Sequence, residues 1–206
     1  MLRSYAGILV LCLCSVAVGQ GTPGRPSPVS SEEYGVFAAA IDFYVQTNVG
    51  PHPLVADHTS TFHCSSGCNG FSMAGCNGLR GGKDESPTER LKIVKDDLPG
   101  LESTTILDFQ TKNRSCVEIA DKIPSRSKYF LLNLNHASKL PPGWERPDFF
   151  YLSRAAFNMK HSQALVHVSF MSGTDGRYSG GKYFLFVKAQ QGWELKGTSA
   201  VWQLMP

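Results

Sequence analysis

No segment of this chain is long and apolar enough to cross a bilayer as a helix, which takes about 20 apolar residues. The one sustained apolar run, Ala6–Val18, stops short of that. Net charge is equally sparse: 20 Lys and Arg against 17 Asp and Glu leave +3 over 206 residues. That balance supplies no large basic field, so neither nucleic acid nor an anionic membrane surface is an expected partner. The basic residues are also dispersed, Lys92 and Lys95 standing among Glu89, Asp96 and Asp97 as on an ordinary solvated face. Cofactor and nucleophile motifs are missing too. Gly180-Gly181-Lys182-Tyr183 lacks the G-x-x-x-x-G-K-[ST] frame of a phosphate loop and leads into a strand rather than a helix. Gly70-Phe71-Ser72-Met73-Ala74-Gly75 has alanine where a nucleophile elbow needs its second glycine, and no apolar strand precedes it. No cofactor and no catalytic set are expected.

What is present at the start is an export signal. Met1–Tyr5 carries one positive charge, the apolar run follows, and Ala17 and Gly19 are small residues at the −3 and −1 positions of a cut before Gln20. Cys12 and Cys14 are each preceded by leucine, so a lipid-anchoring site is not expected. The expected mature protein is secreted or periplasmic, with no membrane insertion after cleavage. Residues 20–31 (QGTPGRPSPVSS) are rich in Pro and Gly and read as a flexible leader. Residues 32–206 then have the length of one domain.

Cleavage removes two of six cysteines and leaves Cys64, Cys68, Cys76 and Cys116. An even number in an oxidising compartment favours two disulfides, with three pairings open. The first three lie in a Cys- and Gly-rich loop over 59–86, whose composition buries too little to order itself without staples. His58 and His63 beside these thiols are the zinc alternative. The Cys64-x3-Cys68-x7-Cys76 spacing falls outside a two-pair finger, and no metal is expected.

Ser31, followed by Glu32 and Glu33, reads as an N-cap with acidic residues facing the helix dipole. Tyr34, Phe37, Ala38, Ile41 and Val45 recur at three- and four-residue spacing, predicting a helix over 32–46. Residues 89–97 predict a short helix before the Pro99-Gly100 turn, and 103–112 leaves helix and irregular structure open. Strand-like runs follow at 129–135, 149–158, 164–171, 182–189 and 193–204. Ala164, Val166, Val168 and Phe170 alternate with His167 and Ser169, the period of a strand. Tyr183, Leu185 and Val187 oppose Phe184 and Phe186, so that strand is apolar on both faces and central. The glycines of Gly173–Gly181 predict a long hairpin loop with backbone at positive φ. Short connections force antiparallel neighbours. The expected class is α+β, an N-terminal helix packed on a C-terminal antiparallel β-meander.

These last strands carry Ser153-Arg154-x-x-Phe157-Asn158, Gln163-Ala164-Leu165-Val166-x-Val168, Gly181-x-Tyr183-x-Leu185, Trp193 and the late Trp202. The pattern resembles a theme of uncharacterised secreted proteins and lipoproteins of bacteria, particularly soil groups. Trp144, Phe149-Phe150 and the helix around Tyr34 fit it as well. The resemblance covers mainly residues 129–206 and implies the meander. It carries no activity and no catalytic residues, and the Cys64–Cys76 loop departs from it.

Arg154 interrupts an apolar strand, so its charge must be paired or reach solvent; a structural ion pair is the plain reading and a carboxylate site the functional one. His167 is expected on the face opposite Val166, exposed or partly covered. Asp57-His58 and His161-Ser162 are fragments of possible acid–base sites, and Asn113-Arg114-Ser115 is a glycosylation acceptor in a eukaryotic host. Two functions are expected from this. The first is a non-enzymatic interaction or envelope module contacting a protein or glycan partner. The alternative is a small extracytoplasmic hydrolase or ligand-binding protein whose pocket, between helix and curved sheet, would use Arg154, His167 and Asp148.

Overall fold

The computed structural model describes residues 27–47, 53–60, 87–120, 122–133, 149–172 and 178–204. The elements run α1 (Ser31–Thr47), β1 (Leu54–Ala56), α2 (Pro87–Asp97), α3 (Ser103–Lys112), β2 (Phe130–Leu132), β3 (Phe149–Leu152), β4 (Ala156–Phe157), β5 (Gln163–Ser172), β6 (Tyr178–Ala189) and β7 (Gly192–Leu204). One sheet joins the strands in the order β2-β1-β3-β5-β6-β7, with β4 also on β5. The protein has the α+β architecture read from its sequence, helix first and antiparallel meander last.

Helix α1 starts one residue earlier than Ser31 suggests as a cap. Ser30 is the capping residue: its Oγ accepts from the Glu33 N–H at 3.2 Å, and Glu33 Oε2 accepts from the Ser30 N–H at 2.9 Å. This reciprocal Ser-x-x-Glu box satisfies two of the backbone donors that a helix start leaves open. The chain is already fixed at Ser27 and Pro28, whose carbonyls accept from the Arg154 guanidinium, so the end of the expected flexible leader is part of the fold.

The sheet has two covered faces. On one, Ala164, Val166, Val168, Phe170, Phe184 and Phe186 pack with Val36, Phe37, Ala40 and Ile41 of α1. On the other, Leu165, Tyr183 and Leu185 pack with Leu91 and Val94 of α2 and Phe109 of α3. Period-two alternation along β5 and β6 therefore feeds two separate cores, and each fully buried large side chain contributes about 1.5–3 kcal/mol. The helix expected over 89–97 is α2, and with α3 it covers this second face.

Four other elements differ from the sequence reading. Residues 149–158 are two collinear strands rather than one, both paired antiparallel to β5 and broken at Ser153–Ala155. At the break Ser153 Oγ accepts from the His167 N–H at 2.8 Å. The Arg154 backbone turns instead to the side chain of Asn113, donating to Oδ1 at 2.7 Å and accepting from Nδ2 at 3.1 Å. The strand expected over 129–135 is confined to Phe130–Leu132, and β1, three residues between β2 and β3, is parallel to both. The third difference is at Gly180 and Gly181. They lie within β6, and the positive-φ glycines among the described residues are Gly100 and Gly192. Gly180 is needed for space: opposite Phe170 in register, a Cβ there would come within 2.6 Å of the ring.

The fourth difference positions the site. The pairing of β7 with β6 slips between Leu185 and Phe186, leaving Lys196 without a register partner, a one-residue bulge. Because a strand's side chains alternate, one extra residue exchanges the faces on either side of it. Trp193 and Leu195 consequently pack on the α1 core, whereas Gly197 lies against Leu98 and Ser199 Oγ donates to Asp97 of α2 at 2.7 Å.

Candidate functional site

Residues Gly35, Ala38, Ala39, Asp42, Phe43 and Gln46 recur on α1 at three- and four-residue spacing and form one stripe of the helix. The stripe faces the hairpin end of β6 and β7, where Trp193 and Leu195 stand. Because three of its six residues are Gly or Ala, helix and hairpin leave a groove of about 460 Å3 between them, floored by Phe186. Gly35 sets the closest approach. A Cβ there would be 3.4 Å from Trp193 Cδ1 and 3.5 Å from Nε1, so the indole edge leans on helix backbone. Lys188 Nζ lies 5.5 Å from the Trp193 ring centroid and Phe157 at 5.6 Å, which together fix the ring's orientation.

Pro124 and Arg126 close one end, and Asp42 holds them there. Asp42 Oδ1 accepts from Ser125 Oγ and from the Ser127 N–H, each at 2.8 Å, and Oδ2 accepts from the Arg126 N–H at 3.2 Å. Burial opposes ionisation of this carboxyl, but the hydrogen bonds outweigh it and hold it below its ordinary value of 3.8. A depressed carboxyl contributes fully above its unfolded value and loses that contribution as pH falls through the lower, folded one. We therefore expect wild type to melt above Asp42→Asn at neutral pH, and the gap to close as pH drops below about 4. Thermal melts of both proteins across pH check this.

The groove's other polar groups are unspent. Gln46, Gln191, the Arg126 guanidinium, the Glu194 carboxylate and the Trp193 indole N–H make no hydrogen bond among the described residues. No protein-family model, curated protein or solved structure matches this chain. What the site does must be read from its own chemistry.

Several polar groups outside the groove hold the fold. Beside it, Glu32 bridges His161 Nδ1 at 2.5 Å and Lys188 Nζ at 2.6 Å. Burial raises its pKa, but these two partners more than reverse that and leave the carboxyl below 4.5. His161, at φ 52, stacks on Phe157 with ring centroids 5.1 Å apart. Gln163 Oε1 accepts from the Glu102 N–H and from Thr105 Oγ1, both at 2.9 Å, tying α3 to β5. Asp108 Oδ2 accepts from the Phe157 N–H at 2.7 Å.

The residues singled out from sequence do not converge. Arg154, 4% exposed, is paired with Glu33 of α1, 1% exposed. Its Nε donates to Oε1 at 3.0 Å and its Nη2 to Oε2 at 2.7 Å, and Nη1 donates to the Ser27 carbonyl at 2.9 Å. His167 is half-buried on the opposite side of the sheet, its ring 4.7 Å from that of Tyr183. Asp148 lies outside the described residues, as do His63, Cys64, Cys68, Cys76 and the Gly70–Gly75 motif. Asp57 Oδ1 and His58 Nδ1 are 2.8 Å apart, yet no described hydroxyl or thiol is bonded to that ring. Tyr151, across from Ser169, has its phenol raised above 10.0 by burial and stays neutral. Among the described residues no group of His, Cys, Asp and Glu is arranged to hold a metal, and no helix is long and apolar enough to cross a membrane.

Sequence reasoning missed the groove because its two walls are far apart in the chain. One signal was available: Gly35, Ala38 and Ala39 put small residues on the helix face that also carries Asp42, Phe43 and Gln46.

Proposed function

We propose that the protein is an exported, non-enzymatic binding module that contacts its ligand through the α1–β7 groove. The observation that carries this is the contrast in hydrogen bonding. The buried Arg154 and Glu33 are spent on the fold, whereas the groove sets the open side chains of Gln46, Arg126, Gln191 and Glu194 beside the rings of Trp193 and Phe43. Its volume falls within the range of about 300–1,000 Å3 typical of small-molecule sites, which combine apolar walls with a few placed polar groups. Export rests on the N-terminal signal. The proposal includes two disulfides among Cys64, Cys68, Cys76 and Cys116. It is supported by Cys116, which is disulfide-bonded.

Amide chemical-shift mapping of the full chain against a library of small polar fragments tests the binding reading. The expected result is that hits perturb α1 residues 35–46 and β7 residues 192–195 together. Hits that perturb the rest of the surface and spare these residues would contradict it.

A further inference from the structure

We infer that the ligand of this groove is a neutral saccharide; the inference rests on the reading of the groove as the binding surface and names its ligand class. Charge excludes the nearest competitor. Asp42 and Glu194 face one Arg126, so the groove carries more negative than positive charge, and a phosphate or carboxylate ligand would enter against it. Polarity disfavours a second, because an acyl chain leaves the amides of Gln46 and Gln191 unused and strips water from any it covers, at about 1–3 kcal/mol for each. A peptide adding as a strand is disfavoured by the edge it would need. Beside the groove, β7 is interrupted by the Lys196 bulge and carries Glu194 and Lys196, the features by which edge strands resist pairing.

A sugar ring matches what remains. Its hydroxyls each donate and accept, and the groove offers both kinds of partner: N–H donors on Trp193, Gln46 and Gln191, and oxygen acceptors on the same amides, Asp42 and Glu194. Its C–H faces are weakly positive and fit against the negative faces of aromatic rings, here Phe43 and the exposed part of Trp193. Two of these groups are held in place beforehand, the Trp193 donor by Gly35 and Phe157 and the Asp42 acceptor by the 125–127 turn, so little ordering is left to the ligand.

The test titrates the full chain with cellohexaose, chitohexaose and mannohexaose as neutral probes. A sulfated heparin hexasaccharide and a pool of extended decapeptides are the competitors, with binding followed by calorimetry and amide shifts. At least one neutral oligosaccharide is expected to bind with a dissociation constant between about 10 μM and 10 mM and to shift the groove residues. Gln46→Ala combined with Gln191→Ala, both at exposed positions, should weaken it about tenfold without lowering the melting temperature. Trp193→Phe, which keeps an aromatic ring and removes the N–H, should weaken it severalfold. Binding of the sulfated sugar or the peptides alone, or neutral-sugar binding that the double variant leaves unchanged, overturns the saccharide assignment. In those cases shifts that still map to the groove preserve it as a binding surface, whereas an unperturbed groove with every probe overturns both.

Discussion

Replacing Arg154 with alanine is expected to destabilise the protein by about 3–5 kcal/mol, because it strands the Glu33 carboxylate in a site where the pair is almost fully enclosed. Glu33→Ala should cost a similar amount and also dismantle the capping box with Ser30. For a domain of this size that corresponds to a fall of roughly 6–20 °C in melting temperature. The pair is more than an isolated salt bridge. Glu33 accepts from Arg154 and from the Ser30 N–H, while Arg154 also holds the Ser27 and Pro28 carbonyls. Replacing both charges with methionine should therefore recover only part of the loss, because those backbone groups remain without partners. A double-mutant cycle measures the coupling, expected at about 0.5–3 kcal/mol. Single variants that melt like wild type would show that the pair is not structural.

The second large effect is expected at Asn113. Its side chain is fully enclosed, donating from Nδ2 to the Phe109 and Arg154 carbonyls at 3.0 and 3.1 Å and accepting from the Arg154 N–H at 2.7 Å. It thus ends α3 and at the same time fastens the β3–β4 break. Asn113→Ala leaves the buried Arg154 N–H without a partner, at about 1–3 kcal/mol, while the Phe109 and Arg154 carbonyls each keep one donor, the residue-113 N–H and Ser153 Oγ. Asn113→Asp should be no better, since it sets carboxylate oxygens against the two carbonyls. Denaturant unfolding checks the magnitude. The same enclosure silences the Asn113-Arg114-Ser115 acceptor in the folded protein. Material secreted by a eukaryotic host is expected to show no mass change on enzymatic removal of N-glycans.

These two positions show what the sequence carried and what it did not. Alternation over 164–171 and 182–189 revealed the central strands because burial on a pleated sheet repeats every two residues, a local signal. The break inside 149–158 left no such trace: Ser153 and Ala155 are compatible with a strand, and the turn exists because Asn113, 41 residues away, captures the Arg154 backbone. Ser31 and Ser30 are equivalent as caps by residue type, and the choice falls on Ser30 because only it has a glutamate, Glu33, three residues on to close the box. For Arg154 itself, a charge amid apolar residues correctly implied a partner, but Glu33 lies 121 residues away and no spacing rule could name it. The groove was least legible of all. Trp193 faces α1 only because of the bulge at Lys196, and Asp42 shapes its end only because the 125–127 turn returns to it.

The central claim is that the α1–β7 groove is an open, preorganised binding surface on a scaffold whose buried charges are already paired. Crystals of the protein soaked with a mixture of small polyols and amides test this most directly. The account predicts ordered density between Gln46, Gln191 and the Trp193 indole, with those side chains placed as in the unsoaked protein. A groove found filled by another segment of the same chain, or fragments bound only at other surfaces, would contradict it.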